Sequence, residues 1–191
     1  MNTAPLPLSA AAAPQTAPAA SVPGPSMPRP AVVDDASSIH ALIVRNLEAG
    51  HLLPRTLADI TRHIQRFVVV HAGSGEMLAC AELAPLSAGV AEIRSLVVHE
   101  AARGLGLGKL VVGALRLRAR AGRFRTLCAF THDPRLFARI GFSIVPHFWL
   151  PEKVGADCWS CPLFQTCGQY AMVDSCLGRA GLPAPGQERC S

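Results

Sequence analysis

The sequence predicts a mixed α/β sandwich, a mostly antiparallel sheet flanked by helices, and three observations point to it. Three short apolar runs, FVVVH (67–71), MLACAEL (77–83) and VAEIRSLVV (90–98), are separated by turn residues and read as consecutive antiparallel strands. Helix and strand signals then alternate to residue 146. Between the third strand and the next helix lies the stretch RGLGLGKL (103–110), in which glycines alternate with leucines.

The elements follow in order. RPAVV, from Arg29, reads as a short strand, and Asp34 or Asp35 is placed to cap the helix in which Ile39, Leu42, Ile43 and Leu47 share a face. That helix ends near Gly50, HLLP is a loop, and TLADITRHIQ is a second helix with Thr56 as its cap. Turns near Gly73–Gly75 and Ser87–Gly89 divide the three strands. The glycine stretch opens a helix running to Gly122, followed by strand TLCAF (126–130), helix PRLFARI (134–140) and strand FSIVP (142–146). There is no internal repeat.

Composition sets the frame. With 191 residues the chain is long enough for one domain with a sizeable core. No apolar run reaches the roughly 18 residues that span a bilayer, so no membrane partner is expected. The net charge of +5 is local in origin, because residues 101–125 hold Arg103, Lys109, Arg116, Arg118, Arg120, Arg123 and Arg125 and no acid. That suits a phosphorylated ligand, or else a solvated helix face. Sparse aromatics argue against a base-stacking nucleic-acid platform.

Residues 1–28 are almost entirely Ala, Pro, Ser and Thr without a charge, which predicts a disordered extension. A signal peptide is disfavoured, since there is no basic leader and prolines break the apolar stretch. Seven cysteines, an odd number without a secretion signal, predict reduced thiols in a cytoplasm. The expected layout is therefore an extension (1–28), a domain (29–148), a cysteine-containing segment packed on it (149–176), and a flexible tail (177–191).

Spacing decides what the glycine stretch can hold. G-x-G-x-x-G fails, because from Gly104 its third position is Lys109 and from Gly106 it is Val111. G-x-x-x-x-G-K-[ST] fails as well, because Arg103 stands five residues before Gly108 and Leu110 follows Lys109. The fit is R-x-x-G-x-G, with Arg103, Gly106 and Gly108. Glycines let the backbone approach an anion, and the first amides of a helix point outward with partial positive charge, as a pyrophosphate requires. A glycine-rich turn with no ligand is the other reading.

This motif, the element order around it and LFARIGF (136–142) resemble the GNAT acyltransferase family. The resemblance covers residues 29 to about 148 and implies the GNAT acyl-CoA N-acyltransferase fold with acetyl-coenzyme A as cosubstrate. It implies that Leu96, Val97 and Val98 offer backbone groups to the pantetheine arm. The pyrophosphate would meet the amides of Arg103, Gly104, Leu105, Gly106, Leu107, Gly108 and Lys109. A narrower resemblance rests on LLPRTLADI (52–60), AEIRSLVV (91–98), AFT (129–131) and LPEKVGADCWSCPLFQTCGQYAMV (150–173). These are similar to short, single-domain bacterial N-acetylglutamate synthases, which implies glutamate as acceptor, a small-molecule amino-acid substrate and a place in arginine biosynthesis; a homodimer is compatible with it. The rivals are a GNAT enzyme acting on another amine and a non-enzymatic acyl-coenzyme A or metal sensor.

The residues can be weighed against that chemistry. Strand alternation places Glu92, Arg94, Leu96 and Val98 on one face. Glu92 is the candidate general base, directly or through a water; the other role open to it is an ion pair with Arg94. A dianionic acceptor needs cations, and Arg55 and Arg94 are the candidates, since a guanidinium binds carboxylate in two-pronged geometry. Thr131 is a candidate at the rim, where a helix cap at Thr131 or Asp133 competes. Many GNAT enzymes carry a tyrosine as general acid where this chain has Phe137; the single tyrosine is Tyr170. Finally, Cys158, Cys161 and Cys167 have a spacing compatible with a structural zinc closed by Cys176 or His147, a redox pair or apolar packing.

Overall fold

The computed structural model describes residues 24–47, 52–161 and 164–174. Most of the expected N-terminal extension, Cys176 and the expected tail 177–191 lie outside the described residues, and the first helix closes at Arg45 with Asn46 as its C-cap, short of the expected end near Gly50. Twelve elements matter here: β1 (Arg29–Pro30), α1 (Ala36–Arg45), α2 (Leu57–Arg62), β2 (Phe67–His71), β3 (Met77–Pro85), β4 (Val90–Val98), α3 (Leu107–Ala121), β5 (Thr126–Thr131), α4 (Arg135–Arg139), β6 (Phe142–Val145), α5 (Pro151–Lys153) and β7 (Tyr170–Asp174). They form one seven-stranded sheet in the order β1-β2-β3-β4-β5-β7-β6. All neighbours pair antiparallel except β4 and β5. The expected α/β architecture, a mixed and mostly antiparallel sheet flanked by helices, is present.

Both faces of the sheet are covered, which is why β2 reads as an unbroken apolar run. Val68 and Val70 join Ala79, Ala81, Leu83 and Ile93 against α3, whose Leu107, Val111, Leu115 and Ala119 recur every four residues along one buried stripe. Phe67 and Val69 face the other way, with Cys80 and Val97, against Ile39, Leu42 and Ile43 of α1 and Ile60 of α2. A third cluster, Val90, Cys128, Leu150 and Ala171, lies under the C-terminal segment.

Several expectations need correction. RPAVV yields only two strand residues, because Pro30 has no amide to donate and occupies the sheet edge. Ser26, inside the expected extension, lies against β2: its amide donates to the His71 carbonyl at 2.7 Å and its hydroxyl accepts from the His71 amide at 3.0 Å. Asp35 does not cap α1. Its buried carboxylate accepts from the Val32 amide at 2.8 Å and from Arg29 at 2.8 Å. Thr56 caps α2 as expected, accepting from the Asp59 amide at 3.1 Å.

The larger difference is β7. The sequence reading ends the sheet at residue 146, yet Tyr170–Asp174 inserts between β5 and β6, with Ala171 and Met172 buried. Asp174 is fixed there by Arg116 of α3, whose Nε donates to Oδ2 at 2.7 Å and Nη2 to Oδ1 at 3.2 Å. Arg118 donates to the Phe67 carbonyl at 3.0 Å and to the Gln65 carbonyl. These two arginines therefore serve the fold, and the expected phosphate patch or solvated face does not extend to them. Replacing Arg116 with Met strips a fully buried carboxylate of its guanidinium; denaturant unfolding should show a loss of about 3 kcal/mol, whereas a change below about 1 kcal/mol would remove this pair as the α3–β7 anchor.

Candidate active site

The site is built on an irregularity in β4. The register with β3 runs Glu82↔Arg94, Leu83↔Ile93 and Ala84↔Glu92 on one side, and Cys80↔Val97 and Ala79↔Val98 on the other, so β4 holds one extra residue between. Ser95, with φ of 51°, takes up that bulge. An extra residue inverts the alternation. Glu92 and Arg94 keep the face opposite α3, as expected, but Leu96 and Val98 pack on the α3 side and Val97 takes the opposite face. The shared face expected for all four residues is thus broken after Arg94.

Beyond the bulge the sheet opens. Pairing of β4 with β5 runs from Val90↔Thr126 to Ile93↔Ala129 and stops, although both strands continue. A cleft of about 810 Å³ occupies the gap; Leu96, Val97, Val98, Arg103, Leu136 and Phe137 line one end, and Arg55, Glu82, Glu92, Arg94 and Lys153 the other.

At the first end the glycine stretch enters α3. Gly104 and Gly106 have φ of 83° and 79°, conformations costly for side-chain-bearing residues, and Gly106 is the helix N-cap. A Cβ on Gly108 would stand 3.1 Å from Leu136 of α4, so glycine there lets the helix start approach its neighbour. The first helical bond runs from the Leu110 amide to the Gly106 carbonyl at 3.1 Å, which leaves the amides of Leu107, Gly108 and Lys109 ahead of it. Leu107 is buried in the core, whereas Leu105 and Lys109 are exposed. Arg103 donates to Asn46 Oδ1 at 2.7 Å, tying the loop to the end of α1.

The other end is ionic. Arg55 donates from Nη1 to Glu82 Oε2 at 2.8 Å and from Nε to Asp59 Oδ2 at 2.6 Å. Arg94 donates from Nε to Glu92 Oε2 at 2.6 Å and from Nη2 to Asp157 Oδ2. Lys153 bridges Glu92 at 2.8 and 2.9 Å and Asp157 at 2.9 Å. Burial works to lower the pKa of both arginines, but their carboxylate partners outweigh it and hold both values up. Burial likewise opposes ionisation of Asp59, and the Arg55 guanidinium overrides it to hold that carboxyl below the ordinary range.

Arg55, Glu92 and Arg94 are therefore gathered as expected, and the ion pair open to Glu92 is present. Glu82, Lys153 and Asp157 join them without being marked by the sequence reading. A glutamate inside the apolar run MLACAEL was the available signal for Glu82; the pair Lys153 and Asp157, four residues apart, carried none that tied it to this sheet. Thr131 lines the cleft, but its hydroxyl accepts from the Asp133 amide at 3.1 Å and donates to the Asp133 carbonyl at 3.0 Å, closing a turn. Phe137 is buried edge-on against Phe142, with ring centroids 5.0 Å apart, and Tyr170 sits in β7 opposite Thr131 and does not line the cleft.

The zinc expectation is not supported. Among the described residues no group of three or more His, Cys, Asp or Glu side chains is placed to hold a metal ion. Cys158, Cys161 and Cys167 line a smaller, mainly apolar cavity of about 320 Å³ beside the cleft, and burial chiefly pushes the Cys158 thiol up, away from the thiolate a metal takes. Cys80 and Cys128 are buried strand residues whose thiols burial raises to about 12, which makes them inert packing groups. Among the described residues no helix is long and apolar enough to cross a membrane.

Comparison with known proteins places this geometry. The family model for the acetyltransferase (GNAT) domain matches residues 63–144. An uncharacterized N-acetyltransferase of Chlorobaculum tepidum is 30% identical over 145 residues, which is 76% of this chain and 93% of the relative. N-acetylglutamate synthase from Neisseria gonorrhoeae, complexed with coenzyme A and N-acetyl-glutamate, is 27% identical with a TM-score of 0.70; the match covers 79% of this chain and 35% of that one. This chain thus corresponds to about a third of that enzyme. The Mycobacterium tuberculosis protein Rv2747, in complex with CoA and NLQ, shares the fold with a TM-score of 0.68 at 22% identity, over 78% of this chain and 98% of its own. A strand that bulges and parts from its parallel neighbour, a glycine turn opening the next helix and these likenesses converge: the chain belongs to the GNAT family of acetyltransferases.

Proposed function

We propose that the protein transfers the acetyl group of acetyl-coenzyme A to the α-amine of L-glutamate, the first step of arginine biosynthesis. The observation that carries this reading is the gathering of Arg55, Arg94 and Lys153 in a cleft that is also lined by Val98 and by Arg103, the residue before the glycine turn. A dicarboxylate acceptor needs cations at that distance from the donor, and a neutral amine does not. Further support comes from the likeness to the N. gonorrhoeae synthase, with 27% identity over the matched part.

The chemistry follows. The pyrophosphate lies on the backbone amides at the start of α3, where unpaired N–H groups and the helix dipole meet an anion, and the pantetheine arm runs along the open edge of Leu96, Val97 and Val98. Glutamate arrives as an ammonium ion, and Glu92 removes one proton through a water. The neutral nitrogen attacks the thioester carbonyl carbon and a C–N bond forms. The tetrahedral intermediate collapses as the C–S bond breaks with its electron pair on sulfur, and the second nitrogen proton passes to the thiolate or to solvent. Phe137 has no proton to give; coenzyme A leaves as thiolate, which is tolerable because thiols ionise near pKa ~8.5.

Release of free thiol from acetyl-coenzyme A should be fastest with glutamate in a panel of amines. Preference for another amine would overturn the acceptor assignment, and turnover with none would overturn the transfer. Glu92→Gln should lower kcat roughly 100-fold near neutral pH and much less at high pH, where the amine is already deprotonated; an equal loss at every pH would leave Glu92 only its ion pairs with Arg94 and Lys153. Gly106→Val puts a β-branched residue at φ of 79° and should raise KM for acetyl-coenzyme A about tenfold. An unchanged KM would remove the turn from the donor site.

A further inference from the structure

The two arginines of the cleft are held in the same way, each between an inner and an outer carboxylate. Arg55 bridges Glu82 and Asp59, and Arg94 bridges Glu92 and Asp157. The inner side chains, Glu82 and Glu92, are 2% and 4% exposed; the outer ones, Asp59 and Asp157, are 36% and 38% exposed. Each inner carboxylate also holds a second cation, Arg66 at 3.8 Å from Glu82 and Lys153 at 2.8 Å from Glu92.

Burial separates these pairs energetically. Stripping a buried carboxylate of its guanidinium is costly, whereas Asp59 and Asp157 are themselves more than a third exposed, so water solvates either carboxylate on release while His63 at 3.1 Å and Lys153 at 2.9 Å stay beside them. A carboxylate entering the cleft therefore competes with Asp59 and Asp157 and not with Glu82 and Glu92. The charges of these pairs already balance, so a dianion that displaced nothing would bring in two uncompensated negative charges. The setting of Asp157 fits such a moving part: it stands in a widened π-type turn, Val154–Cys158, closed by the Trp159 amide donating to the Val154 carbonyl at 3.3 Å.

We propose that Asp59 and Asp157 are placeholders for the acceptor, holding Arg55 and Arg94 until its two carboxylates take over the same donors. They thereby set the selectivity for dicarboxylate over monocarboxylate or neutral amines, because only a dicarboxylate replaces both bonds that open. This rests on the dicarboxylate reading of the acceptor above.

Calorimetric titration of the full chain with glutarate, a five-carbon dicarboxylate without the amine, reads the exchange without acetyl transfer. Asp157→Asn and Asp59→Asn should each bind glutarate about 3- to 10-fold more tightly than the parent, and the double variant more tightly still. Glu152→Gln removes the same charge from α5 at a position that does not line the cleft, and should shift binding less than about twofold. Equal tightening by Glu152→Gln would reduce the effect to net charge and overturn the proposal. Unchanged or weaker binding by both aspartate variants would overturn it too, as would no detectable glutarate binding by any form. Thermal melts separate loss of folding from loss of binding, and Asp157→Ser removes that carboxylate a second way. If glutamate is not acetylated while glutarate binding follows the expected pattern, the acceptor assignment fails and the exchange stands.

Discussion

One extra residue in β4 is the constraint on which the rest of the site depends. A strand fully paired on both sides would bury its backbone groups in the ladder and continue its alternation to the end. With the bulge at Ser95, β4 stays paired to β3 but parts from β5 after Ile93. That parting does two things at once: it frees the backbone of Leu96 to Val98 along an open edge, and it leaves Glu92 and Arg94 at the point where the strands diverge. Backbone recognition and ionic recognition meet there because a single register shift creates both.

Around that point the cleft is organised by charge pairing more than by packing. Glu82 and Arg94 are register partners across β3 and β4, so the Arg55–Glu82 and Arg94–Glu92 pairs lie next to each other as a chain of alternating charge on the sheet surface. Such a chain is stable only where every member has a partner, since an isolated charge at this depth is expensive. Arg66 and Lys153 complete the set from outside the strands. The arrangement holds the cations in place without a ligand, and its weakest members are those nearest the solvent.

Legibility in the sequence followed the range of the interactions. The strands at 67–71 and 90–98, the Thr56 cap, the helix opened by the glycines and the shared face of Glu92 and Arg94 were readable because periodicity, capping and spacing are local, whereas Arg55 was placed at the acceptor end by the family resemblance. The bulge was not, because Ser95 is not a glycine and nothing in AEIRSLVV marks an extra residue; the error it caused was limited to Leu96 and Val98. Strand β7 was missed because YAMVD is a short run after an irregular segment, and a short apolar run fits strand or coil equally until its partners are known. Lys153 and Asp157 depend on the path of that same segment, and a spacing of three or six between cysteines carries no more weight than the geometry that brings their sulfurs together.

The position of β7 has a consequence for how the acceptor end can move. β6 and β7 are antiparallel neighbours, so the segment 146–169 between them is the loop of a wide hairpin, anchored at both ends within the sheet and, at Leu150, in the third core cluster. A flap tethered at one end swings; a strap tethered at both can only slacken. Lys153 and Asp157 ride on this strap and meet Glu92 and Arg94 on β4. Adaptation of such an enzyme to a different amine can therefore proceed by redrawing the strap, leaving the turn and helix that meet the donor untouched.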